Sequence, residues 1–66
     1  MSELFEIGDL VKFRDKTGAE SKIHIVADVQ GERLTAERRE NGRFYSIEAH
    51  FKHFIKHRSV RDLYKK

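Results

Sequence analysis

Apolar and polar residues alternate through the middle of this chain, and two turn-forming dipeptides divide the alternation into three stretches. From Lys22 to Val29, Ile23, Ile25, Ala27 and Val29 alternate against Lys22, His24 and Asp28, with Val26 alone interrupting the polar face. That period of two marks a half-buried strand. Asn41-Gly42 suits a two-residue type I′ hairpin turn, whose central positions both need φ > 0. With Glu40 and Arg43 flanking it, Arg38 faces Tyr45, Ala36 faces Ile47 and Leu34 faces Ala49. Gln30-Gly31 carries the other turn signal. With Val29 and Glu32 flanking it, Ala27 faces Leu34, Ile25 faces Ala36 and Ile23 faces Arg38. The two registers place the same residues of the middle strand on one mostly apolar face, which a slip of one residue would turn to water. The pattern predicts a three-stranded antiparallel meander over 22–49, with Ile25, Ala36 and Ile47 aligned inward.

The flanks supply the remaining elements. Phe5 and Ile7 precede Gly8-Asp9, a turn into a first strand from Leu10 to Arg14 whose Val11 and Phe13 share one face. A polar loop follows over 15–21, with turn chemistry at Asp15 and Gly18. The segment 48–57 fits two periods, and the choice is a helical or 3₁₀ turn near Ala49 to His53 followed by a closing strand near Phe54 to Lys56. A ten-residue amphipathic helix is the alternative. Ser59 can cap a last short helix with Asp62 at its third position. Val60, Leu63 and Tyr64 then share a face that must dock, because so short a helix does not form alone. Stability is expected to rest on Phe13, Ile23, Ile25, Leu34, Ile47 and Phe51 more than on Phe44.

These elements predict a mainly β fold, a small SH3-like barrel of about five antiparallel strands with a short C-terminal helix. It forms a single domain over 1–66, with a barrel core over about 6–57 and a basic segment over 58–66. Gly8-Asp9-Leu10-Val11, the polar loop with Gly18, the alternating strand and the meander resemble KOW/Tudor-type barrels. They resemble small bacterial YodC-like proteins of that shape somewhat more. The resemblance covers residues 6–56 and implies a fold, with no activity to carry over. The chain departs from the pattern where Leu34-Thr35-Ala36-Glu37-Arg38 lacks an aromatic and where the first loop lacks a second Gly.

Composition narrows the class. Without Cys or Trp, the 66 residues have no disulfide staples and no thiolate metal sites. Met1-Ser2-Glu3 opens without the basic and apolar regions of a secretory signal, and no apolar run is long enough to span a bilayer. The expectation is a cytoplasmic protein that makes no membrane contact. Charge divides unevenly: residues 1–51 carry 8 Lys and Arg against 10 Asp and Glu, while 52–66 carry 6 against Asp62 alone. The basic character therefore belongs to the C-terminal segment, either as a solvated tail or as a contact to phosphate or an acidic surface.

Chemistry has few footholds. His50, His53 and His57 would line one side of a helix and could hold zinc or nickel, but a turn plus strand breaks that alignment, and Lys52, Lys56 and Arg58 repel a cation. No metal or cofactor is expected. The serines sit in no nucleophile motif, the glycines form no phosphate-cradling loop, and an enzyme is not expected. On the outer face of the hairpin, Arg39 lies opposite Phe44 and beside Arg43, an aromatic with guanidinium neighbours that can stack on bases. Arg38, on the apolar face opposite Tyr45, must reach the barrel mouth or meet a carboxylate. The leading expectation is a non-enzymatic binding module contacting nucleic acid through Arg39, Arg43, Phe44, Lys52, Lys56, Arg58, Arg61, Lys65 and Lys66. The alternatives are a protein-interaction adaptor, such as a phage-encoded one, using a hairpin edge, and a homodimer sealed by Val60, Leu63 and Tyr64.

Overall fold

The computed structural model describes residues 5–63. Five antiparallel strands, β1 (Leu10–Phe13), β2 (His24–Gln30), β3 (Arg33–Glu40), β4 (Arg43–His50) and β5 (Phe54–Arg58), form one sheet in the order β4-β3-β2-β1-β5. A 3₁₀ turn at Phe51–His53 joins β4 to β5, and a short helix α1 (Val60–Leu63) follows. The mainly β architecture, the 3₁₀ turn and the closing strand agree with the pattern in the sequence. The barrel itself does not close, because β4 and β5 are the two edges of the sheet and do not pair. The connection between them nevertheless bends it. A flat sheet of five strands would hold its edges about 19 Å apart. The chain from His50 to Phe54 reaches about 14 Å at most. The sheet therefore curls, and the Phe51 N–H to the Glu32 carbonyl (2.8 Å) and the Arg14 N–H to the His53 carbonyl (2.7 Å) pin the crossing.

The concave face holds the core: Val11, Val26, Leu34, Ala36 and Phe54, with Phe5 packed over it from the N-terminal segment. Phe13, Val29, Ile47, Ala49 and Phe51 pack around them, Phe13 meeting Phe54 edge-on at 5.6 Å. The β3–β4 register is the one the Asn41-Gly42 turn dictates, with Arg38 opposite Tyr45, Ala36 opposite Ile47 and Leu34 opposite Ala49. Both turn residues take positive φ, 54° and 78°.

The β2–β3 hairpin departs from expectation twice. Its central pair is Gly31-Glu32, not Gln30-Gly31, because Gly31 (φ 60°) supplies positive φ at the first central position, as a type II′ turn requires. This displaces the pairing to Val29 opposite Leu34 and leaves the faces unchanged. The second departure reverses them. Between Val26 opposite Ala36 and Asp28 opposite Thr35, Ala27 is an extra residue, a β-bulge. Below it Val26 and His24 point inward and are buried, while Ile23 (40% exposed) and Ile25 (44%) face out. The expected inward set of Ile23, Ile25 and Ala27 is thus corrected to His24 and Val26.

Among the described residues, Val60 and Lys56 tie the chain after β5 back to the N-terminal turn. Asp9 is fully buried, and its carboxylate accepts the Glu6 N–H (2.8 Å) and the Val60 N–H (2.7 Å). Lys56 Nζ lies 3.3 Å from the same group. Burial pushes the Asp9 carboxyl up, but the two backbone donors and Lys56 outweigh it and hold the group below its usual range. Ser59 caps α1, as its sequence position suggests, by accepting the Arg61 N–H at 3.2 Å. Val60 packs on Gly8, where an added Cβ would lie 2.8 Å from its Cγ2. Tyr64, expected on the docking face of this helix, lies outside the described residues.

Candidate nucleic-acid interface

The β3–β4 hairpin carries an arginine–aromatic pair on each face of its tip. A two-residue turn makes Glu40 opposite Arg43 the closing pair, so the next two rows bring Arg39 to Phe44 and Arg38 to Tyr45. Successive side chains alternate between faces. Arg39 and Phe44 therefore sit on the convex side, with the guanidinium 5.8 Å from the ring centre and Phe44 55% exposed. Arg38 and Tyr45 sit on the concave side, the guanidinium stacked 4.2 Å from the ring centre.

Of the two outcomes open to Arg38, reaching the barrel mouth or meeting a carboxylate, the structure shows the second. The guanidinium lies on Tyr45 and hydrogen-bonds Glu40, whose other oxygen contact is Lys22 Nζ at 3.1 Å. Arg38 first and Lys22 second hold the Glu40 carboxyl below its ordinary range. Lys22, Arg38, Glu40, Asn41, Arg43 and Tyr45 line an open hollow of about 560 Å³. A second hollow of about 360 Å³ shares Lys22, Arg38 and Tyr45 with it and extends to His24, Ser46 and Ile47. The His24 Nδ1 lies 2.7 Å from the Lys22 carbonyl, and since a carbonyl only accepts, that nitrogen carries the proton.

The C-terminal cations are differently placed. Lys56 is held by Asp9 and lies over Phe5, 5.4 Å from its ring centre, and Arg61 makes two contacts to Glu6, at 3.1 and 2.7 Å. Those two charges are engaged within the fold. Lys52 and Arg58 are exposed and form no ion pair among the described residues. Lys52 and Lys56 flank a hollow of about 460 Å³ floored by Phe5, Phe51 and Phe54. Lys65 and Lys66 lie outside the described residues. The predicted residues thus fall into two groups, Arg39, Arg43 and Phe44 at the hairpin tip and Lys52, Lys56, Arg58 and Arg61 around β5, on opposite edges of the sheet.

Sequence reasoning passed over Lys22, Tyr45 and Glu40 as site residues. The signal for the last two was present in the Asn41-Gly42 register, which already aligned them with Arg38 and Arg43. Lys22 lies 18 residues from Glu40 and reaches it only through the sheet. The three C-terminal histidines part company: His50 lies on Phe51 (4.6 Å between ring centres) and near Glu32, His53 packs beside Phe13, and His57 is exposed on β5. Among the described residues no three His, Asp or Glu side chains gather as metal ligands, and no helix is long and apolar enough to cross a membrane. No protein family, curated protein or solved structure matches this chain.

Proposed function

We propose that the chain is a small non-enzymatic binding module of SH3-like type that contacts single-stranded nucleic acid through its β3–β4 hairpin. The carrying observation is the adjacent Arg39–Phe44 and Arg38–Tyr45 pairs on the two faces of one hairpin tip. An exposed aromatic offers a π-face to any base, and neighbouring guanidinium groups attract the backbone, so such a surface binds strands with little sequence preference. Arg43 extends the charge around the turn. Lys52 and Arg58 add a second basic area near the aromatic hollow, while the internal ties of Lys56 and Arg61 lessen their availability to phosphate.

Fluorescence anisotropy with labelled single-stranded oligonucleotides at two salt concentrations tests this reading. The log–log salt slope is expected to fall by about 0.7 for each phosphate contact removed. Phe44→Ala is expected to weaken binding by about 1–3 kcal/mol, the worth of one base–aromatic stack. Absence of binding at low salt removes the nucleic-acid reading.

A protein-interaction reading is favoured by a different observation. Ile23 and Ile25 are exposed on the convex face, and β4 offers an eight-residue edge without proline. Strand addition to that edge would join a partner, or a second copy, through main-chain hydrogen bonds. Such binding would survive salt that dissolves a phosphate contact.

A further inference from the structure

The concave end of the hairpin holds more positive charge than its own carboxylate balances. Lys22 and Arg38 share Glu40, and Arg43, opposite Glu40 in the register, forms no ion pair among the described residues. Three cations against one anion leave a local charge of +2 around the larger hollow. The donors are also prepared. Arg38 lies over the Tyr45 ring with its side chain only 19% exposed, and it uses a single nitrogen on Glu40 out of five N–H groups. Glu40 thus acts as an internal anion that holds two cations at the rim of the hollow, each with N–H groups beyond those it uses on Glu40. A glutamate is ionised at neutral pH, and the Arg38 and Lys22 contacts only favour that form further, so the local charge stands.

A phosphodiester brings one negative charge, whereas a phosphomonoester brings nearly two at pH 7. The dianion matches the imbalance. The smaller hollow borders the larger one, shares Lys22, Arg38 and Tyr45 with it, and is lined beyond them by Ile47, so it offers a place for a flat ring beside the phosphate. We propose that this paired hollow is a site for a phosphomonoester carried next to a nucleobase. It would take the phosphorylated end of a single strand, or a free nucleoside monophosphate. The phosphate lies among Arg43, Arg38 and Lys22, and the base lies against Tyr45 and Ile47. For the strand end, this inference rests on the nucleic-acid reading above and makes it specific for termini.

The test compares a 5′-phosphorylated oligothymidine ten-mer with its 5′-hydroxyl counterpart by anisotropy. Amide chemical shifts are followed in parallel with thymidine 5′-monophosphate, thymidine and inorganic phosphate. The phosphorylated strand is expected to bind about tenfold more tightly, and the monophosphate to shift the amides of Arg38, Arg43 and Tyr45. Arg43→Gln and, separately, Lys22→Gln are expected to abolish the difference. Arg33→Gln, which removes an equal charge from the other end of the hairpin, is expected to preserve it. Equal affinity of the two strands overturns the terminal site while leaving the strand-binding reading in place. Shifts with the monophosphate but no binding of either strand support the site and reject the strand reading. Inorganic phosphate binding as tightly as the monophosphate overturns the role of the base, and no response to any probe overturns the proposal outright.

Discussion

Leu34 and Ile25 are both branched aliphatics on alternating strands, yet they lie on opposite faces of the sheet. Leu34→Ala is expected to cost about 2–5 kcal/mol, because it empties a fully buried position. Ile25→Ala, at an exposed position, is expected to cost far less, and paired thermal melts would show the difference. Near-equal losses would mean that the convex face is covered. Gly8 is constrained twice, by φ 100° and by the side chain of Val60, so Gly8→Ala is expected to destabilise through strain and through displacement of α1. Asp9 makes a prediction about acid. Its folded pKa lies below the ordinary value of 3.8, so its contribution is fully present above that pH and is lost as pH falls through the folded value. Asp9→Asn is expected to remove that part of the acid dependence. It should also cost about 1–3 kcal/mol at neutral pH, where buried donors lose a charged acceptor. Urea titrations of both proteins between pH 7 and pH 2.5 would read the slope.

At the scale of elements, the bulge decides the faces of β2. Deleting Ala27 removes the one unpaired residue and leaves Val26, His24 and Val29 on their present side, so the variant is expected to fold with Val26 still opposite Ala36. Deleting Thr35, within a regular ladder, shifts one side of β3 to the other face and is expected to prevent folding. Inter-strand NOEs from Ala36 distinguish the two cases. The hairpin at Asn41-Gly42 was fully legible because its turn chemistry and its alternation act locally and agree. The hairpin at Gly31 was legible as well. Gly31-Glu32 places the glycine at the first central position that a type II′ turn requires and Gln30-Gly31 does not, so the turn was there to be read. The bulge, in contrast, adds a residue without leaving any mark in composition. An apolar run of Ile23 and Ile25 on a strand with Val26 fits either face, and the buried partner chosen is set by the neighbours.

For the whole molecule, α1 and the N-terminal turn pack as one unit through Val60 and Arg61. Truncation after Arg58 withdraws the Val60 N–H from Asp9 and the Val60 side chain from Gly8, so it is expected to lower the melting temperature by several degrees. A tail that served only as a source of charge would leave the melting temperature unchanged. While the segment 48–57 fitted both a turn plus strand and a helix until the fold chose the 3₁₀ turn, the sequence by itself determined the class, the strand count and the hairpin that brings Arg39 to Phe44. Each of these depends on residues close in the chain, where period and turn geometry act directly. Tertiary structure alone decided that the sheet stays open and that Ala27 reverses a face. It also joined Asp9 to Val60, 51 residues away, and Lys22 to Arg38 around Glu40. Those outcomes depend on which strands become neighbours and on how buried charge finds its partners, and no local pattern encodes either.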